Sequence, residues 1–233
     1  MKNIAAVVLC GGQGSRLKGL VSDRPKPMAD ISGSPFMDIL IRHLRSFGIK
    51  KYILCAGFMA GYIEEYYHRE MAAGDLVIVK EKLPLGTAGA ISHAQDFIET
   101  DHFLVVNGDS FCAADLNAFL DFHSAKKARL SMVVSRIDNA ADCGSIILDD
   151  TNRVVRFEEK KHRGTALANA GIYLFSREVL SLVPKGLKYS LERDLFPRMA
   201  GKDFYGFLTD AKLFDIGTPE RYAEAKTYFK DKK

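Results

Sequence analysis

Apolar runs of four to eight residues alternate along the first half of the chain with stretches whose apolar positions recur every three to four residues. Such runs, bounded by Gly, Asp and Asn, predict buried strands at 4–9, 52–56, 76–80, 102–107, 130–135, 145–148, 153–158, 168–175 and 204–208. The helical period predicts helices at 36–48, 58–71, 86–98, 112–127, 177–183, 190–199 and 219–230. The helix opening at Phe36 carries Met37, Leu40, Ile41, Leu44 and Phe47 on one face and stops at Gly48, an amphipathic stripe with a glycine terminator. Strand–helix alternation as far as residue 127 implies a largely parallel sheet covered on both sides. Beyond it the pattern changes: 145–148, the turn Asp149-Asp150-Thr151-Asn152 and 154–158 read as an antiparallel hairpin. The predicted fold class is therefore α/β: a Rossmann-like, mixed but mainly parallel sheet flanked by helices, with a smaller antiparallel sub-region. No linker or internal repeat interrupts it, so residues 1–233 form one domain with halves 1–127 and 128–233.

Composition narrows the classes of partner. A hydrophobic content of 47% with 27% charged residues is ordinary for a globular protein. The net charge of +4 is small and the basic residues are dispersed, apart from the tail Lys230-Asp231-Lys232-Lys233. No basic stripe interleaved with aromatics points to nucleic acid. The N-terminal apolar run is too short for a leader, and no stretch approaches a membrane span. Cys10, Cys55, Cys112 and Cys143 are widely spaced without a Cys-x-x-Cys, and the six histidines show no metal-ligand spacing. Reduced, buried thiols in a cytoplasmic protein are the expectation. Slight positivity suits polyanionic ligands.

The first strand feeds Leu9-Cys10-Gly11-Gly12-Gln13-Gly14-Ser15-Arg16-Leu17, a loop with three glycines and a terminal arginine, and Lys26 follows ten residues later in Arg24-Pro25-Lys26-Pro27-Met28. Glycines let backbone N–H groups approach a phosphate chain, and two cations neutralise it. A dinucleotide-binding turn needs glycine where Leu17 stands, and a P-loop needs a Gly-Lys-Ser/Thr that is absent. A merely structural glycine turn has no use for Arg16 and Lys26.

Two aspartates follow apolar strand-like runs: Asp109 in Asn107-Gly108-Asp109-Ser110 and Asp215 in Phe214-Asp215-Ile216-Gly217-Thr218-Pro219. Each taken singly could be a turn or N-cap residue, but as a pair beside a triphosphate loop they read as hard oxygen ligands for Mg²⁺. In Glu81-Lys82-Leu83-Pro84-Leu85-Gly86-Thr87-Ala88-Gly89-Ala90, small residues open a helix where a flat ring could lie against the backbone. In open α/β sheets ligands sit at the carboxyl ends of strands, so the glycine loop, the Asp109 turn and the Asp215 loop are expected to converge on one cleft.

Together these segments resemble the sugar-1-phosphate nucleotidyltransferases, or nucleotide-sugar pyrophosphorylases. The matching elements run in family order: Gly11-Gly12-x-Gly14-x-Arg16-Leu17, Pro25-Lys26-Pro27, Leu85-Gly86-Thr87-Ala88-Gly89, Asn107-Gly108-Asp109, Glu158-Glu159-Lys160, Asn169-Ala170-Gly171-Ile172-Tyr173 and Asp215-Ile216-Gly217-Thr218. The resemblance implies the nucleotide-diphospho-sugar transferase fold, with the antiparallel sub-region binding sugar. The hexapeptide repeats of the family's optional C-terminal β-helix are absent from the sequence. It also implies that a sugar 1-phosphate attacks the α-phosphate of a nucleoside triphosphate and releases pyrophosphate. Catalysis would then fall to Arg16, Lys26, Asp109 and Lys160. The nucleotide would meet Leu9, Gly11, Gly12, Gly14, Ser15, Arg16, Lys26, Glu81, Gly86, Thr87, Ala88 and Asp109. The sugar phosphate would meet Gly108, Gly144, Glu159, Lys160, Asn169, Gly171 and Glu192, and Mg²⁺ would sit on Asp109 and Asp215.

Many pyrimidine-using relatives carry glutamine five residues before the motif glycine, where this chain has Glu81. An ionised carboxylate only accepts hydrogen bonds, so it suits the N1–H and N2 amino group of guanine and opposes a uracil carbonyl. GTP is the expected nucleotide. The short chain, the Arg24–Met28 run and Asn169-Ala170-Gly171 most resemble the D-glycero-α-D-manno-heptose 1-phosphate guanylyltransferases, which serve bacterial surface glycans. Mannose 1-phosphate guanylyltransferases and pyrimidine-specific hexose 1-phosphate enzymes are the alternatives. A non-catalytic regulatory relative would be expected to lose a phosphate cation or metal carboxylate, and a glycosyltransferase would need an Asp-x-Asp where Asn107 stands. A homo-oligomer is compatible with all of these readings.

Overall fold

The structure, a computed structural model, describes residues 4–17, 19–137, 145–158 and 166–230. Ala5–Leu9 lies in the middle of a seven-stranded sheet whose order is Phe204–Thr209, Leu130–Ile137, Ala166–Ser176, His102–Asn107, Ala5–Leu9, Lys51–Ala56 and Leu76–Lys80. Ala5–Leu9 pairs in parallel with Lys51–Ala56 on one side and His102–Asn107 on the other, Val7 lying level with both Ile53 and Val105. Of the seven, only Ala166–Ser176 is antiparallel to its neighbours. The mixed, mainly parallel α/β sheet expected from the sequence is the observed one. It runs unbroken across the boundary at residue 127.

Strand periodicity explains the two-sided core. Ala6 and Val8 point into one apolar cluster and Ala5 and Val7 into the other, since successive side chains alternate across a sheet. The first cluster is filled from Phe36–Ser46, Leu116–Lys126 and Pro219–Lys230, through Leu40, Phe119 and Phe229. The second is filled from Gly86–His93 and from Leu191–Leu195 with Phe196–Met199, through Ile91, Leu195 and Phe196. Full burial of each such side chain is worth roughly 1.5–3 kcal/mol. The hairpin Ser145–Leu148/Val154–Glu158 caps the second cluster with Ile146 and Val154. Its turn is held by Asp149, whose Oδ1 accepts the N–H groups of Thr151 and Arg153 at 2.9 Å each.

Several elements differ from expectation in extent. The predicted helix 58–71 divides into Ala60–Tyr66 and His68–Ala72 at Tyr67, whose buried ring places its hydroxyl 2.6 Å from Asp38 Oδ1. The predicted 86–98 ends at His93 and continues as a 3₁₀ turn over Gln95–Phe97. The predicted 177–183 is a 3₁₀ helix over Arg177–Leu182, and the predicted 190–199 is a π turn, Leu191–Leu195, followed by a short α turn, Phe196–Met199. The predicted 112–127 begins only at Leu116, because Asp115 Oδ1 caps the N–H groups of Asn117 and Ala118. The residues ahead of it form a strand, Ser110–Cys112, paired antiparallel with Leu213–Asp215. Among the described residues no helix is long and apolar enough to cross a membrane.

Candidate active site

The carboxyl ends of Ala5–Leu9, Lys51–Ala56 and His102–Asn107 open onto a cavity of about 430 Å³. Its floor is stitched by backbone: Cys10 N–H donates to Cys55 O at 3.0 Å, Gly108 N–H to Leu9 O at 2.9 Å and Phe58 N–H to Gly11 O at 3.1 Å. Leu9, Gly11, Gly12, Gly14, Ser15 and Arg16 line one part of it. A β-carbon at Gly11 would stand 2.8 Å from Glu81 Oε1 and 3.2 Å from Gly57 N, so only glycine lets the loop pass this close to Glu81. The 3₁₀ turn Ser15–Leu17 buries Leu17 and turns Arg16 outward. A second 3₁₀ turn, Lys26–Met28, buries Pro27 and Met28 and pins the stem of Lys26 against the cavity.

The charged centre is built by the two short strands. Pairing sets Asp215 directly across from Ser110, the neighbour of Asp109, and Ile216 N–H donates to Asp109 O at 3.1 Å. Lys26 Nζ lies 2.6 Å from Asp109 Oδ2, and Ser110 Oγ donates to Oδ1 at 3.3 Å. Asp215 Oδ1 accepts from Gly217 N–H at 2.8 Å, and its Oδ2 from Arg221 Nη1 at 2.8 Å. Around the position a Gly217 β-carbon would take, Asp215 Oδ1 is 2.7 Å away, Arg16 Nη2 3.5 Å and Lys26 Nζ 3.6 Å. Arg16, Lys26, Asp109, Asp215 and Arg221 thus form one cluster at the cavity edge, the arrangement expected of a polyphosphate site. No group of three or more Cys, His, Asp and Glu suited to a metal occurs among the described residues. Two carboxylates nonetheless fit a hard cation that keeps waters and takes substrate phosphates as its other ligands.

Glu81, Gly86 and Thr87 line another part of the cavity. Glu81 is half-buried, with Oε2 accepting from Leu85 N–H at 2.9 Å. Burial pushes its carboxyl above the ordinary range, while the Leu85 bond and nearby His93 oppose the shift. Ala88 departs from its expected role: it is fully buried, is not part of the cavity wall, and donates its N–H to Tyr189 O at 3.0 Å. Thr87 Oγ1 accepts from Leu191 N–H at 2.7 Å and donates to Glu192 Oε2 at 3.1 Å. Glu192 also takes Ser190 Oγ at 2.8 Å, so its carboxylate braces the Thr87 turn instead of lining the cavity.

Of the expected sugar-phosphate residues, Gly144, Glu159 and Lys160 lie outside the described residues. Gly108 spends its N–H on Leu9. Asn169 Oδ1 accepts from Gly171 N–H at 2.9 Å and its Nδ2 donates to the buried Tyr173 hydroxyl at 2.8 Å, at a register shift of the long antiparallel strand. Gly171 packs there against Asn107, which lines the cavity. Cys10, Pro27, Cys55, Pro84 and Gly217 also line it without having been assigned a contact from the sequence, and Ala90 lines it as one of the small residues expected to open the helix there. Asn107 and Gly217 were within reach, since both stand inside motifs that carried the neighbouring aspartates. Cys10 donates its thiol to Cys55 O at 3.2 Å, and burial pushes both thiols up, which leaves them protonated and unreactive.

The chain matches the model of the nucleotidyl transferase family over residues 5–232. It is 32% identical over 222 residues to a D-glycero-α-D-manno-heptose 1-phosphate guanylyltransferase of Aneurinibacillus thermoaerophilus, covering 95% of this chain and 96% of that one. It is 34% identical over 224 residues to a mannose-1-phosphate guanylyltransferase of Mycobacterium tuberculosis, covering 94% of this chain but 62% of that protein's length. In three dimensions it is similar to the crystal structure of HddC from Yersinia pseudotuberculosis complexed with GMP-PN. The TM-score is 0.86 at 35% identity, over 97% of this chain and 99% of that one.

Proposed function

The chain belongs to the nucleotidyl transferase family, and from that membership we propose that it makes GDP-D-glycero-α-D-manno-heptose and pyrophosphate from GTP and D-glycero-α-D-manno-heptose 1-phosphate. The observation that carries this reading is a single cavity in which an acceptor-only carboxylate, Glu81, shares the wall with Arg16, Lys26 and Asp109. A volume of about 430 Å³ suits a ligand of nucleotide size. The full-length similarity to a heptose 1-phosphate guanylyltransferase supports the same substrate pair.

In this reaction a phosphate oxygen of the sugar 1-phosphate bonds to the α-phosphorus of GTP as the bond to the β-phosphate's bridging oxygen breaks. The nucleophile is already an anion, so no general base is required. The barrier is repulsion: two unit charges about 4 Å apart at an effective dielectric near 20 interact by roughly 4 kcal/mol. Arg16 would hold the β- and γ-phosphates and stabilise the departing pyrophosphate, and Lys26 would meet the α-phosphate as charge shifts there. Asp109 and Asp215 would hold Mg²⁺, which when bound supplies further neutralisation of the phosphates. By family resemblance Lys160 would hold the sugar phosphate. Glu159, Asn169 and backbone at Gly144 and Gly171 would meet sugar hydroxyls.

The free, buried thiols of Cys10, Cys55 and Cys112 fit a reducing cytoplasm, Cys143 lying outside the described residues, and the product would feed bacterial surface polysaccharide. A mannose 1-phosphate guanylyltransferase is the second reading, favoured by the 34% identity to the Mycobacterium tuberculosis enzyme. Pyrophosphate release measured with four nucleoside triphosphates against hexose and heptose 1-phosphates tests both. GTP with the heptose phosphate should be fastest, GTP with mannose 1-phosphate would transfer the assignment to the second reading, and faster turnover with UTP or dTTP would overturn both.

A further inference from the structure

Asp109 and Asp215 are neutralised by cations of different chemistry, an ammonium for the first and a guanidinium for the second. Asp215 is clamped at both oxygens, by Gly217 N–H and by Arg221, which rises from the first turn of the last helix. Asp109 meets its only charged partner among the described residues through Oδ2, from Lys26, while its Oδ1 has just the long 3.3 Å bond from Ser110 Oγ; the Lys26 side chain is 11% exposed against 39% for Asp109. An ammonium on a four-carbon stem can move its point charge without losing a bidentate geometry, whereas a guanidinium fork is committed to one orientation. Lys26 also stands next to Arg16, both within 3.6 Å of the position a Gly217 β-carbon would take.

We propose that Lys26 is the exchangeable resident cation of Asp109, and that it leaves this carboxylate for the substrate's phosphates only when nucleotide and divalent cation arrive together. The inference rests on the metal reading given above and adds an order to it. Without a polyanion, a dication entering beside Lys26 and Arg16 meets like charge, and the displaced ammonium gives up its 2.6 Å ion pair with Asp109. Loss of Lys26 from Asp109 without a replacement would leave a half-buried carboxylate uncompensated. A triphosphate resolves both difficulties at once, so divalent cation and nucleotide should bind with strong positive coupling.

Mn²⁺ titrated into the protein and followed by the electron paramagnetic resonance of the free ion reads this directly. With the Mn²⁺ chelated by the analogue alone measured separately and subtracted, wild-type protein should bind Mn²⁺ weakly alone and at least about tenfold more tightly with a non-hydrolysable GTP analogue, tenfold being 1.4 kcal/mol of coupling. Lys26→Met should bind Mn²⁺ alone at least about tenfold more tightly than wild type, with the coupling reduced. Lys26→Gln is measured in parallel, so that a folding defect in one variant, read by circular dichroism, does not decide the result. Unchanged or weaker Mn²⁺ affinity in a folded Lys26 variant overturns the proposal. Asp109→Asn separates the two levels: if it binds Mn²⁺ with the analogue as wild type does, the metal reading itself has failed.

Discussion

Gly217 donates its backbone N–H to Asp215 Oδ1 at 2.8 Å, and a β-carbon on Gly217 would stand 2.7 Å from that same oxygen. The carboxylate is therefore held by the one residue type that can hold it without pushing it away. Gly217→Ala should swing Asp215 off its position between Gly217 and Arg221. The fold should lose only about 1–3 kcal/mol, the usual range for overpacking, while kcat/KM falls at least about tenfold, or 1.4 kcal/mol. Pyrophosphate release titrated with Mg²⁺, beside a thermal melt, checks this. A variant with wild-type Mg²⁺ dependence would count against Asp215 as a ligand.

Glu81 is predicted to choose the base. Glu81→Gln should move preference from GTP toward UTP or dTTP by about tenfold or more, the value of one charge-assisted hydrogen bond. Because burial raises the Glu81 carboxyl, acidification should protonate it before an ordinary glutamate. KM for GTP should then climb as pH falls, and the glutamine variant should lack that limb. Initial rates across pH for both proteins measure it, and an unchanged GTP preference refutes the assignment.

Gly86 opens its helix at φ +72°, and a β-carbon there would lie 2.7 Å from Tyr189 O. That carbonyl accepts from both Ala88 and Gly89 at 3.0 Å, so it has no room to retreat. Gly86→Ala should cost about 1–3 kcal/mol of stability and raise KM for the nucleotide, since Gly86 and Thr87 share the cavity wall. Chemical denaturation and substrate titration give the two numbers. Equal stability would show that the segment carrying Tyr189 is free to move.

His123 sets a stability prediction away from the cavity. It is 1% exposed, its Nδ1 is 2.8 Å from Ser131 Oγ, and its ring meets His102 edge-on at 5.2 Å. Burial first, and His102 second, bring its pKa down from 6.5 to about 4. The unfolded chain therefore binds the proton more readily than the fold does. Stability from this residue should be complete above about pH 6.5 and decline as pH falls toward 4, by up to about 3 kcal/mol. Urea unfolding at several pH values should show the slope, and His123→Gln should flatten it.

Legibility in the sequence followed burial. Ala5–Leu9 and His102–Asn107 are covered on both faces, so each reads as an unbroken apolar run. Ser110–Cys112 and Leu213–Asp215 are three residues each, too short for any periodicity to register, yet their pairing sets Asp215 beside Asp109. The late start of the helix at Leu116 was signalled by Asp115, a capping residue whose role competes with the apolar Phe111 and Cys112 just before it. Ala88 sits in a recognisable motif and Glu192 near none, but the bonds that decide their roles come from partners remote in sequence, Tyr189 for Ala88 and Thr87 for Glu192.

The ladder between Ser110–Cys112 and Leu213–Asp215 also fixes when competence can arise. All seven strands of the main sheet precede residue 210, so a nascent chain can finish its scaffold while Asp109 still lacks its distant companion. Only the docking of the final segment, locked down by Phe229 against Phe36 and Phe111, turns an assembled scaffold into one able to grip phosphate.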